Sequence, residues 1–507
     1  MTVDIVGTGP AAAAVEEALA DVDVPFASAE VPELGESSLA VVVGQAGDTV
    51  FERANERALE TDLRWIAVEL GGIGGFPVVD AAVAGFGPET GCYECLSGRV
   101  SANLDPQADP AAAPPSHTAR FAGAIAGREA ARHRTDDADV FGRVIEVPHQ
   151  VREFLPLPNC TCGGTLDRTL DRSDTSRDLE EALSRAERGV DDRLGIVQDV
   201  GEAESFPAPY YLAHACDTTG FSDTSASRNA AGVAAGWDAA FMKALGEAME
   251  RYCAGIYRVE TFETGPASAV ENAVPPSAFV CETDPDPSDD IAWVRGEHLE
   301  TGTEAAIPAE FVHYPPPSRD YRSAVTTGLG LGNSGVEALL SGLYEVIERD
   351  ATMLSWYSTY EPLGLDIQDE TFETLVGRAR SEGLTVTPLL VTQDVDVPVV
   401  AVAVHREEWP RFAVGSSAHL DAARAGRSAL AEALQNWMEL RGMGREDAAD
   451  ATGEIGHYAD FPPAAESFVD PDASVPAESV GPDEVPGGEG ALERVLDELD
   501  TAGLEAY

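Results

Sequence analysis

The feature that most constrains this chain is a motif that occurs twice, each time within a long segment of helical apolar periodicity. Both copies read Glu-x-x-Glu-Arg, and both begin 15 positions after a glycine that precedes the helix. The glycine and the motif residues are Gly232, Glu247, Glu250 and Arg251 in the first copy and Gly330, Glu345, Glu348 and Arg349 in the second. Residues three apart on a helix share one face, so each copy presents two neighbouring carboxylates.

Apolar residues interleave with both carboxylate pairs, among them Leu245 and Ala248 in the first copy and Val346 and Ile347 in the second. Carboxylates within such segments bind a cation or an arginine, because burying them without a partner is costly. Four glutamates from two helices would suit Mg2+, which takes oxygen ligands and bridges to phosphates. The alternative is that both pairs lie on a solvated helix face, which an acidic chain produces often.

The chain of 507 residues is strongly acidic, with 89 Asp and Glu against 33 Lys and Arg and a net charge of −56. Such a field repels phosphate backbones and anionic lipids, so we expect no nucleic-acid partner and no membrane surface. The apolar fraction of 44% favours a folded protein over a disordered one. We interpret the acidic, lysine-poor composition as that of an extreme halophile, in which salt screens the self-repulsion.

Lys243 is the single lysine of the sequence, and its position within a helical segment excludes several mechanisms. A P-loop needs a lysine directly after its last glycine, a protein kinase needs one on a strand, and pyridoxal chemistry needs a Schiff-base lysine. Any nucleotide must therefore be held by arginines, by backbone N–H groups and by cations on carboxylates.

The N-terminal part alternates predicted strands with helices, which indicates a parallel α/β sheet. The predicted elements are strands at Val3–Val6, Leu39–Val43, Trp65–Glu69 and Pro77–Val83, and helices ending at Ala20 and spanning Phe51–Thr61. The turn that begins at Gly7 reads GTGPAA, a weak form of a dinucleotide fingerprint. No acidic residue ends a clear second strand, which disfavours a nicotinamide dehydrogenase. Without a signal peptide or a long apolar run, we expect a cytoplasmic protein.

Four of the seven cysteines form two closely spaced pairs, Cys92 with Cys95 and Cys160 with Cys162. Two tight thiolate pairs on turns are typical of a tetrahedral structural zinc site, because each pair can occupy two corners. The alternative is four unrelated free thiols. The other three, Cys216, Cys253 and Cys281, stand alone and are expected to be core residues, with a nucleophile as the minor alternative.

The chain divides into three predicted parts. Residues 1–103 form a Rossmann-like α/β domain, residues 104–193 a linker and zinc-closing segment, and residues 194–507 a larger domain. The linker begins with the Pro- and Ala-rich stretch at 104–117, and a strand is predicted at Val144–Val147. A helix over Ala491–Ala502 is followed by a predicted strand start at Leu504–Tyr507, which suggests that a C-terminal segment is missing.

Further candidate residues surround the second motif. Asn333 and Glu337 lie 12 and 8 residues before Glu345, and Asn333 falls in a Gly-rich turn suited to an adenine or ribose contact. A third segment, GRSALAEALQ, places Arg427, Glu432 and Gln435 on one more helix, for which a plain surface helix is the alternative.

With these three segments the chain resembles the YcaO family from about Leu194 to Tyr507. The family's core motifs are similar to KALGEAMERY, TGLGLGNSGVEALLSGLYEVIERDA and SALAEALQ. The resemblance implies an ATP site without a P-loop, in which acidic helices hold ATP through magnesium. It implies magnesium ligands at Glu247, Glu250, Glu345 and Glu348, catalytic roles for Glu345, Glu348 and Arg349, and ATP contacts from Asn333, Glu337, Arg349, Arg427 and Gln435.

The N-terminal half resembles the partner domain that peptide cyclodehydratases place beside YcaO, a degenerate adenylating-enzyme fold closed by a four-cysteine zinc. TGCYECLSGR and LPNCTCGG carry this likeness. The resemblance therefore implies an α/β fold class throughout, α+β in the YcaO part, and the thiazole/oxazole-forming branch of the family. Three departures are a Val233-Ala234 pair where the family has Lys-Gly, no winged-helix leader-binding module and no proline-rich C-terminal end.

The activity implied by this resemblance is ATP- and magnesium-dependent phosphorylation of a peptide backbone amide during azoline formation at Cys, Ser or Thr. The implied partners are a peptide or protein substrate and a separate leader-binding or sulfur-donor protein, and we expect a homodimer. The alternative is a non-catalytic or ATP-binding accessory factor for sulfur modification, such as thioamidation or ribosomal-protein methylthiolation.

Overall fold

The structure is a computed structural model that describes residues 2–35, 37–104, 114–135, 137–163, 169–451 and 455–507. Residues 105–113 of the predicted linker thus lie outside the described part. Two compact units are formed: unit 1 comprises Met1–Arg168, Glu187–Asp199 and Ala215–Ser225, and unit 2 comprises Thr169–Ala186, Val200–His214 and Ala226–Tyr507. The predicted division at 103/104 and 193/194 stays a prediction. Among the described helices, none is both long and apolar enough to cross a bilayer.

Unit 1 is built on a seven-stranded sheet with the order β2-β1-β3-β4-β5-β6-β7. Its strands are β1 (Val3–Val6), β2 (Phe26–Ser28), β3 (Leu39–Gln45), β4 (Trp65–Leu70), β5 (Ala81–Phe86), β6 (Arg143–Glu146) and β7 (Gln150–Glu153). The strands from β2 to β4 pair in parallel, as predicted. From β4 to β7 all pairings are antiparallel, so the prediction of a parallel sheet is wrong there. Residues 71–80 between β4 and β5 are too few for a parallel crossover.

The helices of unit 1 cover both faces of this sheet. They are α1 (Pro10–Ala20), α2 (Thr49–Thr61), α3 (Tyr93–Ala102) and α4 (Ser116–His133). One apolar cluster includes Val15 and Ala126 of α1 and α4, and the other includes Phe51 and Leu96 of α2 and α3. These buried faces explain why β3, β4 and β5 consist almost entirely of apolar residues.

The remaining elements alternate short strands with longer helices. In chain order they are α5 (Leu179–Glu187), β8 (Val197–Glu204), β9 (Tyr210–Ala215), β10 (Asn229–Val233), α6 (Trp237–Ala254), β11 (Glu263–Gly265), β12 (Ile291–Glu297), β13 (Glu304–Pro308), α7 (Gly335–Trp356), β14 (Leu363–Asp366), α8 (Glu370–Ser381), β15 (Thr385–Leu390), β16 (Val399–His405), β17 (Phe412–Ala418), α9 (Ala422–Met443), α10 (Arg445–Asp450), α11 (Ile455–Ala459), α12 (Pro463–Phe468), β18 (Ser474–Pro476) and α13 (Gly488–Thr501). The sheets have the orders β10-β9-β8, β11-β12-β13 and β17-β16-β15-β14-β18. The mixed α/β fold class predicted from the sequence is confirmed.

The five-stranded sheet is the centre of unit 2. Its middle strand β16 is buried on both faces, and its side chains alternate between two apolar clusters. Val400, Val402 and Val404 pack with α8 and α9, whereas Val399 and Ala401 pack with α7 and α13. The sheet therefore lies between α7 and α9. Both helices contact its edge strand β17, where Ser416 bonds to a side chain of each.

Three glycines bring backbone segments close to α6, α7 and α9. A Cβ added to Gly232, Gly330 or Gly415 would lie 2.1, 2.2 or 2.5 Å from a backbone atom of α6, α7 or α9, respectively. Real Cβ atoms do not approach so closely, so only glycine allows each contact. Gly232 and Gly330 touch residues 8 and 12 positions further along the chain, so the repeated sequence spacing reflects a repeated packing arrangement.

The C-terminal helix predicted at Ala491–Ala502 is present as α13, and Gly503 follows it with a φ of +77°. The strand predicted at Leu504–Tyr507 is wrong, because these residues carry no strand assignment. Instead, the Leu299 N–H donates a hydrogen bond to the Ala506 carbonyl at 2.8 Å, and the rings of Tyr507 and His298 meet edge to face.

Candidate functional site

The two repeated carboxylate pairs come together in unit 2. Glu247 and Glu250 lie on α6, and Glu345 and Glu348 lie on α7. The charge of Glu345 acts on Glu250, that of Glu247 acts on Glu345, and that of Glu345 acts on Glu348. Because such interactions weaken with distance, the four side chains form one electrostatic cluster although the two motifs are far apart in sequence.

Desolvation dominates the titration of Glu250 and Glu345. Burial raises the pKa of Glu250 to about 7, and the charges of Glu345 and Glu247 add to this effect against the opposing charge of Arg251. Burial likewise raises the pKa of Glu345, although Arg349 and Arg251 oppose it. The protein alone therefore holds the Glu250 carboxyl group partly protonated near neutral pH.

A third helix adds a fifth carboxylate. Burial raises the pKa of Glu348 to about 8, and the next largest cause is the charge of Glu432 on α9. Ser416 of β17 joins the two side chains: its hydroxyl donates to Glu348 Oε1 at 2.7 Å, and its backbone N–H donates to Glu432 Oε2 at 2.9 Å. The sequence placed Glu432 on a helix without assigning it to the site, and Ser416 gave no sequence signal.

Arginines and backbone groups hold the cluster in place. The guanidinium of Arg251 donates to Glu247 Oε1 at 2.8 Å and lies 3.7 Å from Glu250 Oε1. The Ala231 N–H, next to Gly232, donates to Glu247 Oε2 at 2.9 Å. This contact parallels that of Ser416, next to Gly415, with Glu432.

The donor set of this cluster fits a hard divalent cation. The five carboxylates carry the oxygen donors that Mg2+ prefers, although among the described residues only the four paired cysteines, and not these glutamates, already lie within 4.8 Å of one another as a ligand group. The charge of Arg349 acts against the rise in the pKa values of Glu345, Glu348 and Glu432. A metal ion that binds to desolvated carboxyl groups displaces the protons they carry.

Asn333 and Glu337 lie together at the N-terminus of α7. Glu337 Oε2 accepts a hydrogen bond from the Asn333 N–H at 2.8 Å, and the Glu337 N–H donates to the N-cap hydroxyl of Ser334 at 3.2 Å. Glu337 is exposed and precedes Glu345 by two helical turns, about 12 Å along the axis. Neither side chain is in the carboxylate cluster itself.

Arg427 and Gln435 of α9 have other partners. Arg427 forms an ion pair with Asp369, the N-cap residue of α8. The side-chain amide of Gln435 donates to Glu439 Oε1 at 2.9 Å, which also accepts from the Tyr210 hydroxyl. The structure thus does not bring these two side chains among the five carboxylates, and their contact with a nucleotide stays a prediction. Val233 and Ala234, which replace the family's Lys-Gly, are buried.

The four paired cysteines form a second cluster, in unit 1. Their sulfur atoms all lie within 4.8 Å of one another, with Cys92 and Cys160 at 3.6 Å and Cys95 and Cys162 at 3.4 Å. Four sulfurs placed about 2.3 Å from a central zinc would be about 3.8 Å apart, so the spacing fits a tetrahedral site. Cys92 caps α3, and the Leu157 N–H donates to Cys95 Sγ at 3.3 Å. The cysteine pairs predicted from spacing are therefore close together.

The three single cysteines differ in exposure. Cys216 is fully buried, as expected, and Cys281 is half-buried. Cys253 is exposed, so its expected place in the core is wrong. It follows Glu250 by three residues on α6 and therefore lies on the carboxylate face of that helix rather than on the apolar face.

Comparison with known proteins assigns the second half of the chain to a protein family. Residues 231–507 match the YcaO family model, described as YcaO cyclodehydratase, ATP- and Mg2+-binding. An uncharacterized protein of Methanothermobacter thermautotrophicus is 30% identical over 220 residues, which is 41% of this chain and 57% of that protein. The chain spans about half the length of the curated relatives it matches.

Two solved structures have the same fold. A heterocyclase in complex with substrate and cofactor superposes with a TM-score of 0.76 at 19% identity, covering 99% of this chain and 77% of that chain. YcaO from Methanopyrus kandleri bound with AMPPCP and Mg2+ superposes with a TM-score of 0.50 at 23% identity, covering 64% of this chain and 82% of that chain. At these identities the likeness is one of fold.

The raised pKa values predict that magnesium binding depends on pH. Since Glu250 and Glu348 titrate at about 7 and 8, Mg2+ must displace protons from them below those values. We expect the apparent Mg2+ affinity to rise between about pH 6 and about pH 9, with proton release on binding at the lower end only. Calorimetry in buffers of different ionisation enthalpy, at matched ionic strength, measures both quantities.

The same pKa values set the sign for the metal-free protein. Its stability should fall as the pH rises from the ordinary glutamate pKa of 4.5 through about 7 and 8, because ionisation puts charge on desolvated carboxylates, which then also repel one another. Glu348→Gln should remove the part near pH 8 from both pH profiles, that of Mg2+ affinity and that of stability. Magnesium binding that is strong and independent of pH across this range would contradict the assignment of these carboxylates as ligands.

Proposed function

Since the chain belongs to the YcaO family, described as ATP- and Mg2+-binding cyclodehydratases, we propose that it uses ATP to activate a backbone amide of a peptide substrate. The observation that carries the proposal is the carboxylate cluster of α6, α7 and α9, in which burial raises the pKa of Glu250, Glu345, Glu348 and Glu432. A solvated acidic face would leave them near their ordinary pKa, whereas burial raises the pKa of Glu250 to about 7 and of Glu348 to about 8. A bound cation would stabilise the ionised form of these carboxylates.

In this proposal Glu247, Glu250, Glu345 and Glu348 hold magnesium, with Glu432 as a further carboxylate of the same cluster. A bound magnesium ion neutralises charge on the nucleotide phosphates. Arg349 is exposed beside the carboxylates and binds a phosphate oxygen. Asn333 and Glu337, at the start of α7, contact the nucleoside, and Arg427 and Gln435 of α9 complete the contacts with ATP.

The proposed reaction is phosphoryl transfer to an amide oxygen. A substrate Cys thiol, or a Ser or Thr hydroxyl, attacks the preceding carbonyl carbon and gives an oxyanion. The proton of the attacking group passes to solvent, and the oxyanion takes the γ-phosphate as ADP leaves. Phosphate then leaves with the former carbonyl oxygen while the amide nitrogen loses its proton to solvent and the carbon–nitrogen double bond forms, which yields an azoline. Positioning and charge neutralisation carry such a step, so Arg349 and the magnesium that the carboxylate cluster would hold could supply them without a protein nucleophile.

The partners proposed with this activity are a peptide or protein substrate, a separate leader-binding or sulfur-donor protein, and a second copy of the chain. An external sulfide as nucleophile would convert the same activation into thioamide formation. The competing proposal is an accessory factor that binds ATP without turning it over, and the following test separates the two.

Glu345→Gln tests the enzyme directly, because it removes one charge at nearly constant shape. We expect weaker magnesium-dependent ATP binding and a loss of turnover of at least about 100-fold, since the variant replaces a charged magnesium ligand with a neutral amide. The measurement is phosphate release with MgATP and a panel of Cys-, Ser- and Thr-containing peptides, with mass spectrometry for loss of one water.

Glu493→Gln is the matched control, since Glu493 is an exposed glutamate on α13, and it should behave like the parent. Glu493→Gln should unfold at the temperature of the parent, and Glu345→Gln at that temperature or above it, because the variant removes a carboxylate whose pKa burial raises. A Glu345→Gln variant that binds and hydrolyses ATP normally would contradict the enzyme proposal. Parent protein that binds MgATP but releases no phosphate with any peptide would favour the accessory factor.

We also propose that Cys92, Cys95, Cys160 and Cys162 bind one structural zinc ion. We expect one zinc per chain by elemental analysis, and its loss with unfolding of unit 1 in Cys95→Ser, because three thiolates no longer close the tetrahedron. Cys281→Ser, in unit 2, is the control and should keep its zinc. A purified parent protein without zinc, folded and unaffected by a chelator, would contradict the proposal.

A further inference from the structure

A cavity at the C-terminal end of α7 contains none of the residues assigned to the proposed reaction. Its volume is about 580 Å³, within the range of small-ligand pockets. Its walls come from residues 355–363, which run from the last turn of α7 into β14, and from α11, α12 and the segment between α12 and β18. All of its lining residues belong to unit 2, so the cavity is formed within one unit.

Aromatic rings are concentrated in the walls of this cavity. Aromatic residues make up 7% of the chain but five of the sixteen residues that line the cavity. The rings of Tyr458 and Phe468 meet that of Trp356 edge to face at 5.2 and 5.0 Å, and the Trp356 indole donates to the Tyr458 hydroxyl at 3.3 Å. The other two rings are those of Tyr357 and Tyr360, and Tyr357 is 79% exposed. Three rings therefore brace one another, while Tyr357 offers an unpacked aromatic face to a ligand.

The charges at this cavity have a single sign. Its charged residues are Glu361, Asp470 and Asp472, all exposed, and no arginine, lysine or histidine is among the described lining residues. Across the part of the chain that the structure describes, no basic nitrogen lies within 4.0 Å of these carboxylates. The C-terminal end of α7, which is the negative end of its helix dipole, opens at the same place. Carboxylates alone are ordinary in so acidic a chain, but together with five aromatic rings they select a cation.

We propose that this cavity binds the side chain of an arginine from another polypeptide. A guanidinium group is planar and weakly hydrated, so it stacks on aromatic faces, and its N–H donors match the oxygens of carboxylates. Aromatic faces attract a cation through their quadrupole, and tryptophan does so most strongly. The inference does not depend on the proposed function, because the cavity contains none of the residues assigned to ATP or magnesium.

Two peptides that differ in one functional group test the requirement for a cation. Calorimetry compares N-acetyl-Ala-Arg-Ala-amide with the same peptide carrying citrulline, whose side chain has nearly the same shape but no charge. We expect the arginine peptide to bind at least about tenfold more tightly, since the citrulline peptide lacks both the cation–π contact and the charged hydrogen bond. Equal affinities, or binding of neither peptide at millimolar concentration, would contradict the inference.

Substitutions locate the bound arginine at this cavity. Tyr357→Ala removes the exposed ring and Asp470→Asn removes one charge, and each should weaken binding of the arginine peptide about two- to fivefold. Tyr357→Phe keeps an aromatic face and should bind the peptide like the parent. Because both side chains are exposed, these variants should also unfold like the parent.

Matched controls remove an equivalent group elsewhere. Phe121→Ala deletes an exposed ring from α4, and Asp497→Asn deletes an exposed charge from α13, so neither should change the affinity for the arginine peptide. If Tyr357→Ala and Asp470→Asn bind the peptide as these controls do, the arginine lies elsewhere on the protein and the inference is wrong.

Turnover identifies the polypeptide that carries the arginine. Phosphate release with MgATP is compared for two cysteine-containing peptides that differ only in arginine or citrulline. A lower KM for the arginine peptide that is lost in Tyr357→Ala assigns the arginine to the peptide substrate. Equal KM values, with binding of the tripeptide still dependent on Tyr357, assign it to a partner protein. A parent protein that releases no phosphate with any peptide would contradict the proposed function, whereas calorimetry with the tripeptides would still decide this inference.

Discussion

Repulsion among desolvated carboxylates is the constraint on which the functional part of this protein depends. Five glutamates from three helices share one region, and burial raises the pKa of Glu250 to about 7 and of Glu348 to about 8. The protein opposes this cost with Arg251, with the Ser416 bridge and with the Ala231 N–H. Binding of a cation would relieve the unfavourable electrostatic free energy that remains, so the folded protein favours binding one.

Close backbone packing makes this arrangement possible. Gly232, Gly330 and Gly415 each lie against one of the three helices, too close for any side chain. Two of these contacts also align a neighbouring backbone N–H with a glutamate, Ala231 with Glu247 and Ser416 with Glu432. At α6 and α9 the glycine thus fixes the position of the helix relative to the backbone donor that orients its carboxylate.

The sequence predicted the features that are local or repeated. Pairs three residues apart on a helix, such as Glu345 and Glu348, were predictable because helix geometry alone places them together. Closely spaced cysteines were predictable for a similar reason. Contacts that depend on tertiary packing were not: Ser416 lies on a strand, and nothing near it in the sequence indicates its two carboxylate partners. The antiparallel half of the first sheet was missed because the strand pattern does not encode direction, and Cys253 was misplaced because its helix is apolar on one face only.

The central claim is that the carboxylates of α6, α7 and α9 form a single cation-binding centre for a nucleotide. The most direct measurement is a crystal structure with Mn2+ in place of Mg2+ and with AMPPCP, in which anomalous scattering locates the metal. The account predicts an anomalous peak at coordination distance, about 2.1 Å, from glutamate oxygens of both α6 and α7, with phosphate oxygens on the same ion. Metal peaks confined to other acidic surfaces, with these glutamates unligated beside a bound nucleotide, would contradict it.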